Sequence, residues 1–373
     1  MIRTYKRKLI LSTEQSNRIA SWIGACRVVY NLGMEIKNKS YKDKKLSVSK
    51  YDLMKQLPDL KQDYDWIKDV PSQSLQAALD RLENSYKNFF RGGGYPKFAS
   101  KNKYNSILLK SVSIEGRFAI IPKIGAIKMF KDAEIKGTPK TATIIKDVTG
   151  FFICIQCNDV PKKFDSESQT IGLDMGIANF CADSNGGFIS NPRHFKKYER
   201  LLRIENRSLA RKKKGSNRWK AQAKRLAVLH HKIADVRKDF LHKESTKIAK
   251  SNSVVFMEDL NIKNMSKNKN LSKHILDAGW GLFKTMMSYK TEVVLVNPQY
   301  TSQTCSNCGA VDSKSRKSQS EYECTTCGFE EHADTNAAKD IKSKGIALSR
   351  KRKSVDYALA LEPLHLGVRV CQK

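Results

Sequence analysis

Cys305-x2-Cys308 and Cys324-x2-Cys327 are separated by fifteen residues, and Asp334 follows seven positions later, where a helix is expected to begin. Two CxxC turns can present four thiolates tetrahedrally, and Gly309 and Gly328 allow the tight backbone that each turn needs. The spacing is that of a four-cysteine zinc site, and reduced structural cysteines or disulfides are the plainer alternative. Four thiolates leave no position open for water, so such a zinc is structural. Chemistry must come from acids. Asp174 closes the apolar run in TIGLDMGIANF, and Glu258 closes the one in NSVVFMEDLNI. Taken singly, an acid at a strand end is most often a turn or cap residue, and Asp334 before Thr335-Asn336 reads equally as an N-cap. Taken together, three carboxylates have no reason to converge unless cations sit between them, because mutual repulsion raises their pKa values. Hard oxygen donors select Mg²⁺ or Mn²⁺. Two such ions, about 3.5–4 Å apart, activate a water and stabilise the leaving oxygen of a phosphodiester. An actin-like ATPase also uses Asp-x-Gly in a hairpin, but its further phosphate loops are missing here.

The elements that would position these residues are legible in outline. Residues 1–11 read as a strand. Ser12 and Gln15 then form a capping-box pair, and Ile19, Ile23, Cys26 and Tyr30 recur at helical spacing. Helical patterns continue over Lys50–Gln56 and Gln73–Phe90 and stop at Arg91-Gly92-Gly93-Gly94. From Tyr104 to Cys157 short β-type runs suggest a small barrel with the helices inserted after its first strand. A polar link, Lys162–Gln169, marks a boundary. Beyond it come a strand to Asp174, a second strand to Asn185-Gly186, and two basic helices broken near Gly215. Leu226, Leu229, Ile233, Val236 and Phe240 form an apolar seam on the second of these helices. A strand from Val254 to Met257 leads into Glu258, followed by a helix near Trp280–Tyr289, a strand Val293–Val296, the cysteine knuckle and a last helix. The order strand–Asp, later strand–Glu, final helix–Asp is the one in which RNase H-like folds assemble a carboxylate cluster. Only Thr291 and Glu292 separate Lys290 from the strand at Val293, so the preceding helix is expected to end near Met286 or Met287.

Charge narrows the partner. Lys and Arg number 69 against 37 Asp and Glu, a formal net charge of +32 in 373 residues. Such a surplus opposes compaction unless polyanions neutralise it, and nucleic acid is the leading explanation. Between Lys196 and Lys250 there are 19 Lys/Arg and 5 acids, more than a solvated surface needs, which suits a channel for a nucleic-acid duplex. No apolar run approaches the roughly 18 residues of a membrane span. Five of the nine cysteines lie outside the knuckle without disulfide-framework spacing, and the N-terminus lacks a signal-peptide cleavage site; a cytoplasmic protein is expected.

The segments SYKNFFRGGGYPKF, IGLDMGIANF, ARKKKGSNRWKAQAKRLAVLHHKIADVRKDFLHK, VVFMEDLNIKNM, DAGWGLFKTM, VNPQYTSQTCSNCG and HADTNAAKDI together resemble the TnpB proteins of bacterial insertion sequences, compact relatives of type V CRISPR effector nucleases. The likeness spans nearly the whole chain. It implies an α+β and α/β multidomain protein: a wedge-type β-barrel over 1–11 and 104–162 and a helical recognition insert over 12–103. A RuvC nuclease domain would follow over 168–300 and 329–347, interrupted by a zinc knuckle at 301–328; apart from the likeness, the stretch 348–373 has no clear period and reads as a disordered tail. The activity implied is RNA-guided cutting of DNA beside a short motif, with Asp174, Glu258 and Asp334 as the triad holding two Mg²⁺ or Mn²⁺ ions and Cys305, Cys308, Cys324 and Cys327 holding one Zn²⁺. The implied partners are a guide (omega-type) RNA and target double-stranded DNA, with no membrane, for a monomer in the bacterial cytoplasm near the nucleoid. Lys87, Arg91 and Lys97 beside the glycine triplet are candidates for RNA backbone contacts, and Lys212, Lys213, Lys214 and Arg218 for the duplex channel. Gln76 is a candidate reader of adenine in the target-adjacent motif. A guided DNA-binding protein that no longer cuts and a transposition accessory protein are the alternatives. A strand-transfer transposase would need a His-x-His motif, which His230-His231 does not form.

Overall fold

The computed structural model of the chain describes residues 2–101, 103–130, 134–158 and 169–361, with side chains to Arg350. The chain divides into two compact units, 1–161 and 162–373. Apart from Gln169, the polar link expected at this boundary lies outside the described residues.

In the first unit, β1 (Arg3–Ile10) buries Tyr5 and Leu9 by alternation. α1 (Thr13–Lys44) starts at the expected capping box, in which Ser12 Oγ accepts from the Gln15 N–H and Gln15 Oε1 accepts from the Ser12 N–H, each at 3.1 Å. It runs 32 residues and buries Ile19, Ile23, Cys26 and Tyr30 on one face. α2 (Lys50–Lys55), α3 (Leu57–Asp63) and α4 (Asp65–Lys68) are short and lead to α5 (Ser72–Phe90). α5 packs Leu79 and Leu82 over Gly33 of α1, where a Cβ would lie 3.0 Å from both leucines. β2 (Ser106–Leu109), β3 (Ser113–Glu115), β4 (Phe118–Ile121), β5 (Gly125–Met129), β6 (Thr138–Asp147) and β7 (Gly150–Asn158) join β1 in one antiparallel sheet ordered β2-β6-β7-β1-β5-β4-β3. Where a barrel was expected, these pairings leave β2 and β3 as the edges. β1 bridges the two halves by pairing through Lys8 with β7 and through Leu9 and Ile10 with β5.

The second unit is built on β8 (Thr170–Met175), β9 (Asn179–Asp183) and β10 (Phe188–Ser190), a meander, followed by the basic hairpin α6 (His194–Ala210) and α7 (Asn217–Ser251). The break between the helices falls at Gly215, whose φ is +87°. β11 (Val254–Glu258), α8 (Ile262–Met265), α9 (Ser272–Ala278), α10 (Trp280–Ser288) and β12 (Glu292–Val296) follow, and then β13 (Glu321–Glu323), β14 (Glu330–His332) and α11 (Ala333–Leu361). The sheet order is β10-β9-β8-β11-β12, with β8, β11 and β12 parallel and β9 and β10 antiparallel to their neighbours. The parallel strands sit in register, Leu173 beside Met257 and Glu258 beside Val296. Alternation then assigns the faces. Ile171, Leu173, Val255 and Met257 join one core with Leu241 and Ile248 of α7 and Phe283, Met286 and Met287 of α10. Phe256, Val294 and Val296 join Ile341 of α11 on the other side.

α10 ends at Ser288, one or two residues later than the length of the connection suggests, because Met286 and Met287 are both held in the core. No glycine closes it; the N–H groups of Lys290 and Thr291 both donate to Met287 O. The buried Lys290 Nζ fastens this turn to α7 by donating to His242 O, Ser245 Oγ and Thr246 Oγ1. A disordered tail was expected from residue 348, but α11 continues to Leu361 through a segment rich in the strong helix formers Ala and Leu, and 362–373 lie outside the described residues. No helix among the described residues is long and apolar enough to cross a membrane.

Two glycines let α11 lie against the sheet. A Cβ on Gly172 would stand 2.2 Å from Ala338 O, and one on Gly345 would stand 2.1 Å from Phe256 Cδ1. Gly172→Ala and Gly345→Ala should each destabilise the protein by about 1–3 kcal/mol, lowering Tm by several degrees in a thermal melt, because backbone or core must move. An unchanged Tm in both would mean that α11 does not approach the sheet this closely.

Candidate functional site

Register alone puts two acids together. Leu173 lies beside Met257, so Asp174 and Glu258 follow side by side at the carboxyl ends of neighbouring parallel strands, on the face that receives α11. Asp334 enters in the first turn of α11. All three line one cavity of about 320 Å³, with Pro298, Thr301, Arg316 and Gln319 among the other walls. The structure therefore brings together the triad expected from sequence.

Burial pushes the Asp174 carboxyl up to about 7, and Glu258 and then Asp334 push in the same direction, while Arg316 opposes. Glu258 is also raised, chiefly by burial, against the hydrogen bond in which Thr301 Oγ1 donates to its Oε1. Arg316 Nη2 pairs with Asp334 Oδ1 at 3.0 Å. The oxygens are hard donors crowded in one cavity, offset by Arg316 and, at Glu258, by Lys344 of α11, a set suited to Mg²⁺.

The four cysteines also meet. Among the described residues theirs are the only three or more candidate ligand atoms that all lie within 4.8 Å of one another. The carboxylates share a cavity without closing to that spacing. Gly309 and Gly328, at φ +77° and +70°, end the two CxxC turns, donating to Cys305 O and Cys324 O at 2.9 Å. Backbone N–H groups of Cys327 and Thr326 pull the Cys324 thiol down to about 6. Against the pull of the Ala310 amide, the neighbouring sulfurs push Cys308 up to about 12. Four sulfurs that must divide protons so unequally fit a cation that replaces those protons.

The knuckle is tied to the acid that follows it. Asn336, buried in the first turn of α11, donates to Thr304 O and accepts from the Ser306 N–H, both at 2.8 Å. The Ala333 N–H donates to Ser320 O at 3.0 Å, and Arg316 comes from the loop between the cysteine pairs. Thr301, Arg316 and Asn336 were not anticipated. Thr301 was findable, since it follows the strand that lies in register with Glu258. Arg316 sits in a basic run that reads as a solvated loop.

Lys87 is exposed on α5, Arg91 caps that helix, and Lys97 is exposed just beyond it. Gln76 is half-buried on α5. Lys213 and Lys214 are exposed in the turn between α6 and α7, and Arg218 is exposed in the first turn of α7. Lys212 is half-buried and turns back to donate to Ser208 O and Oγ.

Residues 152–269 match the family model OrfB_IS605, described as "Probable transposase". Residues 280–341 match the Cas12f1-like TNB domain, a span that includes the knuckle and Asp334. Residues 1–45 match a helix-turn-helix domain, although here they form β1 and one continuous helix. InsQ of Escherichia coli (strain K12), whose name describes an RNA-guided DNA endonuclease, is 30% identical over 374 residues, covering 93% of this chain and 93% of that protein. A Streptomyces pristinaespiralis protein with the same description is 30% identical over 368 residues, covering 93% and 90%. The mini-RNA-guided endonuclease CRISPR-Cas_phi3 superposes over 93% of this chain and 92% of its own, at 10% identity and a TM-score of 0.48. The chain belongs to the TnpB-type (OrfB) family of insertion-sequence proteins.

The knuckle should carry about one zinc per chain. Elemental analysis after dialysis against a weak chelator is expected to find it, and Cys305→Ser should lose it; a folded, zinc-free wild-type protein would contradict the cluster's role. A second expectation concerns pH. Asp174 sits at about 7 when folded against an ordinary 3.8, so the folded state holds this proton more tightly than the unfolded chain. Stability is therefore lost as pH rises from about 4 to 7, by on the order of 4 kcal/mol from this group. Without divalent metal, Asp174→Asn should be more stable than wild type to denaturant at pH 8, with the gap closing toward pH 4. Wild type equal to or above the variant at pH 8 would show that the carboxylate is not under this strain.

Proposed function

We propose that the chain is an RNA-guided, Mg²⁺-dependent DNA endonuclease of a transposable element, which hydrolyses target DNA beside a short motif. The observation that carries this reading is the meeting of Asp174, Glu258 and Asp334 in one cavity at the carboxyl ends of β8 and β11. A five-stranded sheet with three antiparallel strands followed by two parallel ones, covered by the helix that brings the last acid, supports a RuvC-like, RNase H-type domain for the second unit. The first unit serves as wedge (1–11 and 104–162) and helical recognition insert (12–103), and residues 301–328 as a zinc knuckle for target nucleic acid.

Asp174, Glu258 and Asp334 would hold the magnesium ions, which supply an activated water and charge stabilisation at the leaving oxygen of the phosphodiester. The chain's own groups prepare that site. Thr301 fixes one oxygen of Glu258, which lines the cavity. Arg316 holds Asp334 in place and adds positive charge where a phosphate must enter. Asn336 locks the knuckle to the start of α11, so that the four cysteines, which would hold the zinc, and the third acid move as one piece. The exposed cations of the α6–α7 turn, Lys213, Lys214 and Arg218, suit the backbone of a guide–target heteroduplex, which a protein reads by shape and charge.

Ala substitution of any one acid is expected to lower cleavage by orders of magnitude while leaving RNA and target binding intact. Near-normal cutting by one variant would remove that residue from the metal site. Cleavage should also need a bound RNA complementary to the target, and replacing that segment should move the cut with no change in the protein. Equal cutting of guided and unguided duplexes would contradict guidance, and guided binding without cutting would favour the non-cutting alternative.

A further inference from the structure

α5 ends in an aromatic cluster that the folded chain leaves uncovered. Phe90 is 79% exposed, more than any other exposed large hydrophobic side chain among the described residues, and Tyr95 and Phe98 are 52% and 57% exposed. The rings form a connected series. Tyr86 and Tyr95 meet edge-on at 6.1 Å and Phe89 and Tyr95 edge-on at 5.2 Å, while Phe89 and Phe90 are tilted to each other at 5.3 Å. This is not a loose loop. Tyr86 and Tyr95 both donate through their hydroxyls to Asn38 Oδ1 at 2.7 Å, and Asn31 pairs with both the N–H and the C=O of Ala99. Gly92, at φ +88°, and Gly93, where a Cβ would meet Asn88 O at 2.7 Å, make the tight turn that ends α5. The structure thus spends polar contacts on holding apolar faces toward solvent.

The charge around the rings says what covers them. From Asn84 to Ile114 there is no Asp or Glu, while Lys87, Arg91, Lys97, Lys101, Lys103 and Lys110 all fall in that stretch. Lys87, Arg91 and Lys97 are exposed beside Phe90 in sequence. An apolar protein partner would leave these cations without counter-charge. An unpaired nucleotide satisfies both features, because its base stacks on a ring and its phosphates meet the cations. Resting on the reading of the chain as RNA-guided, we propose that Phe90 is a base-stacking seat for an unpaired nucleotide of the bound guide RNA, with Arg91 engaging the adjoining phosphate. The RNA, rather than the target DNA, is the occupant, since a permanently presented ring needs a resident partner and target DNA comes and goes.

The test uses the full chain freed of copurified RNA, with a 12-nucleotide oligoadenylate as probe and an abasic RNA of the same length for comparison. Phe90→Ala should weaken binding of the oligoadenylate by roughly 5- to 150-fold, the range for one lost stacking contact, and leave the abasic RNA unaffected. Its salt dependence should stay as in wild type, whereas Arg91→Gln should flatten the slope by about one ion. Phe90→Trp should restore affinity and lose fluorescence on binding. Loss of both probes equally, or of neither, would overturn the stacking seat while leaving the guided-nuclease reading intact. Discrimination against the abasic RNA together with guide RNA binding unchanged in Phe90→Ala would place the seat on another strand and overturn the RNA assignment. Failure of wild type to bind any RNA would instead sink the underlying reading.

Discussion

Carboxylates that are brought together out of water repel one another, and the second unit is arranged around three of them. Asp174 and Glu258 are fixed side by side by the register of two parallel strands, a consequence of backbone hydrogen bonding that no side chain can relax. Both are pushed toward their protonated forms by burial. The offsetting groups are few: Arg316 acts on Asp174 and pairs with Asp334, and Lys344 acts on Glu258 from α11. Such a site is stable only because the rest of the unit is not free to yield. Gly172 and Gly345 bring α11 down onto the sheet, and large apolar residues fill the opposite face. The strain is stored where a cation would relieve it.

This constraint explains why the cysteine knuckle stands directly before the last acid. α11 could approach the strands at many heights if its first turn were free. Asn336 ties that turn to both Thr304 and Ser306, on either side of the first cysteine, and Arg316 reaches from the intervening loop to Asp334. A metal that rigidifies the knuckle therefore also fixes the position of the third carboxylate. The same loop supplies one wall of the cavity, so ordering the knuckle shapes the space that a phosphodiester must enter.

Much of this was legible in the chain, for definite reasons. Helix starts with side-chain caps, such as Ser12 with Gln15, declare themselves locally, and the 3.6-residue seam from Ile19 to Tyr30 needs no partner to be seen. The strands that end in Asp174 and Glu258 were readable because buried parallel strands are continuous apolar runs. What escaped depends on contacts distant in sequence. Arg316 looks like part of a solvated basic loop until α11 is folded beside it. Lys212 is the exception, missed through a local contact: it looks like an open phosphate ligand but is drawn back to Ser208, four residues earlier. The open edges of the first sheet, read from sequence as a barrel, could not be inferred either, since alternation marks strands without saying which edges meet. The end of α10 at Ser288 was displaced from expectation by the burial of Met286 and Met287, a tertiary demand that outweighed the length of the connection.

The central claim is that the three acids form a strained cluster made for a divalent cation, and proton release on metal binding measures it most directly. Titration calorimetry with Mg²⁺ at pH 7, repeated in buffers of different ionisation enthalpy, counts the protons displaced. With Asp174 held at about 7, roughly half a proton per chain should be released at pH 7, rising toward one near pH 6 and vanishing by pH 9. Asp174→Asn should lose most of this release, leaving only what Glu258 contributes. Magnesium binding of similar strength with no proton released at pH 6 would contradict the account.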